Sequence, residues 1–156
     1  MTEQEKFMKR ALEQAKIAGR KGEVPIGCVV VKDGKVIARG RNRREELNNA
    51  VKHAEIIAIE KACKKTGDWR LNGCEMYVTL EPCAMCAGAV FNARLDKLYF
   101  GAYDLKSGAC GSAFDITGGI TLNHSVLTVG GVLEGECSSI ITEFFKNRRK
   151  KTECGE

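Results

Sequence analysis

Two short stretches, His53-Ala54-Glu55 and Pro82-Cys83-Ala84-Met85-Cys86, limit the possible folds of this chain more than any other feature. Together they supply one imidazole, two thiols and one carboxylate. Two cysteines three residues apart lie on the same face of a helix, one turn from each other. If that helix begins at Pro82, a residue suited to the first helical position, both sulfurs lie in its opening turn. The helix dipole there favours thiolate over thiol.

These groups match the ligand preferences of a zinc ion. Thiolate sulfur and neutral imidazole nitrogen are favoured zinc ligands, and three protein ligands leave a coordination position open for water. We therefore predict that His53, Cys83 and Cys86 bind one Zn²⁺ per chain. Glu55, two residues after His53, is close enough to reach that water without binding the metal. The pattern predicts a metal-activated hydrolytic site with Glu55 as its catalytic residue.

A Cys-x-x-Cys pair alone would be weaker evidence, because it also occurs in redox sites and zinc ribbons. A redox site gives no role to the His-x-Glu motif upstream. A structural zinc needs a fourth ligand, for which Cys74, Cys110 and His124 are candidates, but none of them belongs to a second paired motif. The combination of both motifs favours a catalytic zinc.

The bulk composition is that of an ordinary globular protein. A chain of 156 residues, 44% hydrophobic and 29% charged, can bury a core of its own, so we predict one domain over residues 1–156. The longest small and apolar run, Ala84 to Phe91, is far shorter than the ~20 residues of a membrane span. The first residues lack the basic start and apolar segment of a signal peptide. Eight scattered cysteines in such a chain indicate free and metal-bound thiols in a reducing cytoplasm.

Hydrophobic periodicity predicts an α/β fold. An amphipathic helix over residues 2–20 precedes a strand over 25–31 that is apolar on both faces. Asp33-Gly34 predicts a hairpin turn into a returning strand over 36–42. The remaining predicted elements are helices over 53–65 and 82–93, strands over 76–80, 97–102 and 126–129, and a final helix from about 134. Residues 103–120 form a predicted irregular segment over a site. This pattern gives one layered domain with helices on both faces of a sheet.

The positive charge is unevenly distributed. Of the net charge of +5, residues 146–156 contribute +3, from five cations and two acids, and the other 145 residues contribute +2. We predict a basic C-terminal tail from about residue 146. A second basic cluster lies at Arg39, Arg41, Arg43 and Arg44. A solvated surface with a frayed tail and a phosphate-binding edge both fit this pattern, and charge alone does not separate them.

The two motifs resemble the His-x-Glu and Pro-Cys-x-x-Cys signature of the zinc-dependent nucleoside deaminases. Within that superfamily the chain resembles the bacterial tRNA-specific adenosine deaminases over nearly its whole length. Further matching stretches are residues 23–27, 42, 53–56, 77–89, 100–102, 123–124, 131–133, 144–145 and 148–149. Residues 116–120 depart from the family, since they are glycine-rich where many relatives are more apolar. The resemblance implies a cytidine-deaminase-like fold: three layers, α/β/α, around a central and mostly five-stranded mixed sheet.

The resemblance also implies an activity, which is the hydrolytic conversion of adenosine to inosine at the wobble position of a tRNA anticodon loop. Glu55 would move the protons of that reaction. The partners it implies are a tRNA anticodon stem-loop and a second copy of the chain. Two alternatives stay open: a deaminase of a free base or nucleoside such as guanine or cytidine, and a non-catalytic RNA-binding module containing zinc.

Residues matching the family's substrate contacts fall into two groups. Around the target nucleotide the resemblance places Asn42, Ile26 and Ala54, and around the neighbouring nucleotides it places Asp104, Lys106, Phe144, Phe145 and Arg148. Asn42 also fits a simple role at the end of a strand, because Asn is common in turns. Asp104 and Lys106 also fit a solvated loop.

Overall fold

The computed structural model describes residues 1–118 and 124–153 of the chain. Helices and strands occur there in the order α1 (Glu3–Arg20), β1 (Gly27–Lys32), β2 (Lys35–Arg41), α2 (Ala54–Thr66), β3 (Cys74–Leu80), α3 (Ala84–Asn92), β4 (Lys97–Ala102), β5 (Leu127–Val129) and α4 (Glu134–Glu153). Each helix and strand predicted from the sequence has its counterpart in this order. Residues 119–120 of the predicted irregular segment, and Asn123, lie outside the described residues.

The five strands form one mixed sheet in the order β2-β1-β3-β4-β5. The pairs β1–β2 and β1–β3 are antiparallel, whereas β3–β4 and β4–β5 are parallel. The hairpin between β1 and β2 turns at Asp33 and Gly34, which both have positive φ angles (51° and 75°). This conformation is the one that an Asp-Gly turn favours, so the predicted hairpin is confirmed.

Both faces of the sheet are covered. In β1, Cys28 and Val30 point into a core shared with α2 and α3, while Val29 and Val31 point into a core shared with α1 and α4. Successive side chains of a strand point to opposite faces of the sheet. Because the side chains from Cys28 to Val31 are all apolar, β1 is buried on both faces. The predicted three-layer α/β/α fold with a five-stranded mixed sheet is confirmed.

Several chain segments end at the same edge of this sheet. Gly27 at the start of β1 pairs with Arg41 at the end of β2, and its N–H donates to the Thr79 hydroxyl near the end of β3. Leu80 pairs with Ala102, so β3 and the parallel β4 finish side by side. The loops that follow β2, β3 and β4 therefore leave from one edge, where ligands bind in open α/β sheets.

Helix α2 reaches this edge because β2 carries a glycine beneath it. A Cβ atom at Gly40 would lie 2.2 Å from the Ala54 carbonyl oxygen and 2.7 Å from the Ala58 backbone nitrogen. Only a residue without a side chain permits this approach of helix to sheet. The N-terminus of α2, with His53 immediately before it, is thereby held against the edge.

Several predicted boundaries differ from the observed ones, among them the starts of β1 and β3, each by two residues, and two of the differences concern functional residues. Helix α3 begins at Ala84 rather than at Pro82, since Cys83 has an extended backbone (φ −73°, ψ 177°) and its carbonyl accepts the first helical bond, from Ala87 N–H. The Pro82 carbonyl instead accepts the Ala109 N–H at 2.8 Å, and Pro82 lies in the connection between β3 and α3. At the other end of the chain, the basic residues predicted as a tail after the last helix continue α4 as far as Glu153.

None of the helices within residues 1–118 and 124–153 combines the length and the apolar character that crossing a bilayer requires.

Candidate active site

The structure brings the three predicted metal ligands together. His53 Nδ1 lies 3.5 Å from Cys86 Sγ and 3.8 Å from Cys83 Sγ, and the ligand atoms of all three residues lie within 4.8 Å of one another. A tetrahedral zinc site with Zn–S of about 2.3 Å and Zn–N of about 2.0 Å separates its ligand atoms by roughly 3.5–3.8 Å. The spacing and the chemistry of this donor set fit one metal ion. Within the described residues, it is the one cluster of this kind.

Two helix N-termini create the cluster. His53 is the N-cap residue of α2 and Cys83 the N-cap residue of α3, while Cys86 lies in the first turn of α3. The prediction that both sulfurs lie at a helix N-terminus therefore holds, although the helix starts two residues later than expected. The positive ends of both dipoles point at the cluster and stabilise negative charge on the thiols.

The two thiols have opposite pKa shifts. The hydrogen bond from Cys86 and the contact with His53 lower the pKa of Cys83 to about 3, despite partial burial. The same bond to Cys83, together with burial, raises the pKa of Cys86. Both shifts have one main cause, a proton shared between the two sulfurs. A metal that takes both sulfurs has to displace that proton.

Glu55 lies beside the cluster in the first turn of α2 and is only 4% exposed. Burial raises the pKa of its carboxyl to about 7, against a smaller lowering by its own backbone N–H; the charge of Cys83 raises it further. The side chain also contacts the Cys86 thiol. A carboxyl that titrates near neutrality can both accept and return a proton, which general acid–base catalysis requires.

A second buried carboxylate at this edge was not singled out from the sequence. Glu81, directly after β3 and two residues before Cys83, is 2% exposed. Its oxygens accept hydrogen bonds from the N–H groups of Asp104, Cys110 and Ser112 and from the Ser112 hydroxyl. The available signal was a charged residue directly after an apolar strand, at the edge where ligands bind.

Glu23 is a further buried carboxylate, and it accepts hydrogen bonds from the loop between β2 and His53. It is also 2% exposed, and its two carboxylate oxygens accept the N–H groups of Glu45 and Glu46 at 3.1 Å and 2.7 Å. These residues belong to the loop between β2 and His53. Glu23 lies in a stretch that carried the family resemblance, but no role for it was predicted.

Three of the predicted substrate contacts line one cleft. Asp104, Lys106 and Phe145 share a cavity of about 440 Å³ at the same end of the sheet. Its other lining residues are Val24, Leu80, Tyr103, Leu105 and Ile141. Phe145 is 42% exposed, and its ring meets that of Phe144 edge-on at 5.5 Å. Arg148 does not line this cleft; its guanidinium lies over the Phe144 ring, 5.4 Å from the centroid.

The three residues predicted around the target nucleotide are more deeply placed. Ala54 is fully buried, Ile26 is half-buried, and Asn42 is 7% exposed. The Asn42 amide donates to the Val24 carbonyl at 3.3 Å and accepts the Arg44 N–H at 3.2 Å. This is the turn role that the sequence left open, and the contact with a nucleotide stays a prediction.

Comparison with known proteins gives one consistent family. The sequence model of the MafB19-like deaminases matches residues 2–149. The tRNA-specific adenosine deaminase of Bacillus subtilis is 48% identical over 151 residues, which are 97% of this chain and 94% of that protein. The chain belongs to the deaminase family. The resemblance stated from the sequence motifs is thus confirmed over nearly the full length.

Solved structures of deaminases share the fold. One from a study of A-to-I editing by tRNA:A34 deaminases at the wobble position of transfer RNA is 48% identical, with a TM-score of 0.83 over 86% of this chain and 97% of that one. The guanine deaminase of Bacillus subtilis is 42% identical with a TM-score of 0.61, over 64% of each chain. Relatives of this deaminase therefore act on more than one kind of base.

Proposed function

We propose that this deaminase converts adenosine to inosine at the wobble position of a tRNA anticodon loop. The observation that carries the proposal is the convergence of His53, Cys83 and Cys86 with the buried carboxyl of Glu55 at one edge of the sheet. In the net reaction, water adds to the amino-bearing carbon of the base, and the amino group is released as ammonia.

The metal in this proposal is zinc, held by His53, Cys83 and Cys86. When bound, zinc acts as a Lewis acid that activates water for attack. The chain contributes a preorganised donor set, because both helix N-termini hold their ligands before a metal arrives. His53 binds through Nδ1, the ring nitrogen that faces both sulfurs.

Glu55 handles the protons. Its carboxyl accepts one proton from the attacking water and passes it to a ring nitrogen. It then accepts the second proton, from the hydroxyl now bonded to the carbon, and donates it to the amino group, which leaves as ammonia while the carbon–oxygen double bond forms. Burial raises the pKa of the Glu55 carboxyl to about 7. One residue can therefore serve as base and acid in a single turnover at neutral pH.

The RNA surface extends from the cleft of Asp104, Lys106 and Phe145 to the basic end of α4. Exposed aromatic rings can stack on unpaired bases, and cations neutralise phosphates. Bases of an anticodon loop can be splayed out of the loop at modest cost, which allows one of them to reach a partly buried site. Arg148 and the other cations from residue 146 onward lie on the helix that carries Phe145. A tRNA substrate supports a cytoplasmic location for this enzyme.

A homodimer is part of the proposal. Large apolar side chains are exposed on the segments that carry or adjoin the metal ligands: Leu47, Val51, Met85 and Phe114. Exposed apolar groups in such number around a site are typical of an interaction surface. Light scattering of the zinc-loaded protein should give twice the chain mass; a monomer at micromolar concentration would contradict the dimer.

The test is inosine formation by zinc-loaded protein on an anticodon stem-loop with adenosine at the wobble position. Free adenosine, cytidine and guanine serve as parallel substrates, guanine because of the similarity to a guanine deaminase. Conversion of the stem-loop alone supports the proposal. Conversion of a free base or nucleoside instead keeps the metal chemistry and rejects the RNA partner. Bound zinc with no conversion of any substrate favours a non-catalytic RNA-binding module.

A further inference from the structure

The loop from Asp104 to Ser112 is held by one side chain that does not line the cleft. Two donors converge on Oε1 of Glu81, the Asp104 N–H at 3.1 Å and the Ser112 hydroxyl. Two more converge on Oε2, the N–H groups of Cys110 and Ser112, both at 3.1 Å. The bonds reach both ends of the loop, so the carboxylate fixes its overall conformation.

The loop also packs closely against the Glu81 side chain at Gly108. A Cβ atom at Gly108 would lie 2.4 Å from Glu81 Cδ and 2.4 Å from the Asp104 carbonyl oxygen. The next residue, Ala109, donates its N–H to the Pro82 carbonyl at 2.8 Å. The loop is thus bonded to the two residues that precede the ligand Cys83.

We propose that Glu81 is a positioning residue: it holds the Asp104–Ser112 loop in the conformation that presents Lys106 and Asp104 to the RNA, in fixed relation to the metal-binding segment. This inference rests on the proposed function for its effect on substrate, but its effect on the loop is independent of substrate. Asp104 supports the assignment, because its own carboxylate accepts the N–H groups of Lys106 and Ser107 within the loop. Asp104 therefore shapes the turn that carries Lys106.

A carboxylate is required here because all four groups are donors in the observed arrangement. An amide in its place has one oxygen and one NH₂ group. Turned one way, the NH₂ meets the N–H of Asp104; turned the other way, it meets those of Cys110 and Ser112. Either orientation sets donor against donor, so Glu81→Gln loosens the loop while preserving the shape of the side chain.

The experiment compares zinc-loaded wild type with Glu81→Gln. We expect the amides of Cys110 and Ser112 to exchange with solvent at least about tenfold faster in the variant, because their acceptor is lost. Zinc stoichiometry stays at that of wild type. On the wobble-adenosine stem-loop, KM rises about tenfold or more while kcat changes little, since the loop binds substrate and does not take part in the chemistry.

The matched control is Glu23→Gln, a change of the equally buried glutamate that holds the other loop. It should speed exchange at Glu45 and Glu46 and leave Cys110 and Ser112 as in wild type. Gly108→Ala approaches the same contact from the loop side and leaves the carboxylate intact. It should reproduce the exchange and KM changes of Glu81→Gln, and it serves if that variant does not fold.

Some results would overturn the inference. Unchanged exchange at Cys110 and Ser112 would show that the carboxylate does not hold the loop. Loss of zinc with an unchanged loop would make Glu81 a support of Cys83 alone. A fall in kcat with KM unchanged would also contradict it. If wild type does not convert the stem-loop, the proposed function fails, and the exchange and zinc measurements still decide the role of Glu81.

Discussion

Glu55 and Glu81 occupy two regions of the same edge and invite comparison. Each lies two residues from a proposed metal ligand, and each is at most 4% exposed. Around Glu81, burial works to raise the pKa, but the hydrogen bonds from Ser112, Asp104 and Cys110 outweigh it and the pKa falls below its ordinary value. Around Glu55, burial outweighs the few favourable contacts and the pKa rises to about 7.

The difference shows that burial alone does not decide what a carboxylate does. Glu81 is surrounded by backbone donors, so it stays ionised and serves as an anchor. Glu55 has its own N–H and the Cys86 thiol as contacts, and it can exchange a proton near neutral pH.

The largest effect should come from removing a metal ligand. Cys86→Ala deletes a fully buried sulfur from the cluster, so zinc stoichiometry should fall far below one per chain and deamination should be lost. Metal analysis and inosine formation measure both. Cys74→Ala, which removes an equally buried cysteine at the start of β3, is the control and should keep its zinc. A Cys86→Ala protein that binds zinc and turns over would reject the ligand set.

Replacing the proton carrier should be nearly as severe. Glu55→Gln keeps the shape of the side chain but cannot accept a proton, so kcat should fall by roughly 10²–10⁴-fold with zinc still bound. Steady-state assays on the stem-loop give the value. Glu60→Gln, an exposed carboxyl further along α2, should leave kcat unchanged. Retained turnover in zinc-loaded Glu55→Gln would remove Glu55 from the chemistry.

The two glutamates should respond to pH with opposite signs in the metal-free protein. The folded-state pKa of Glu55 is raised from 4.5 to about 7. Its contribution to the free energy of unfolding is therefore fully present below pH 4.5 and is lost as the pH rises to about 7. The shift corresponds to about 3 kcal/mol at most. Glu55→Gln should therefore be more stable than wild type above pH 7. The measurement is urea unfolding of metal-free protein between pH 4.5 and 8.

Glu81 provides the opposite case in the same titration. Its folded-state pKa is lowered. Its contribution to the free energy of unfolding is therefore present above the ordinary carboxyl pKa and is lost as the solution is acidified. Glu81→Gln should lose about 1–3 kcal/mol of unfolding free energy at pH 7, and less in acid. If both variants shift stability in the same direction at pH 8, the contrast between the two carboxylates is wrong.

The smallest effect should come from the cleft. Lys106→Ala removes one exposed cation, so KM for the stem-loop should rise several-fold and the salt dependence of binding should weaken by about one phosphate contact. Titration of RNA binding at several salt concentrations measures this. Lys97→Ala, at the opposite end of β4, is the control. An unchanged salt dependence in Lys106→Ala would support the solvated-loop interpretation.

The metal cluster and the sheet were predictable because side-chain chemistry and periodicity carry the signal. His53, Cys83 and Cys86 need specific atoms at specific spacings, and the alternating burial of β1 follows from an unbroken apolar run. The start of α3 was not predictable in this way. Pro82 suits a helix start, but its carbonyl is taken by Ala109, a residue far along the chain.

Glu23 and Glu81 were missed for a related reason. Their partners are backbone N–H groups, which every residue except proline possesses, so no motif identifies them. Asn42 shows the same limitation, since its amide bonds to backbone at Val24 and Arg44. Residues that organise loops through the main chain become visible once the loops have been placed in space.

A single-turnover experiment on zinc-loaded Glu55→Gln and Glu81→Gln with saturating stem-loop RNA directly compares the roles of the two carboxylates. Saturation removes the contribution of binding, so the rate reports the chemical step alone. We predict that Glu81→Gln reaches nearly the wild-type rate and that Glu55→Gln remains slower by roughly 10²-fold or more. Equal rates for the two variants, whether both fast or both slow, would contradict the separation of proton carrier from anchor.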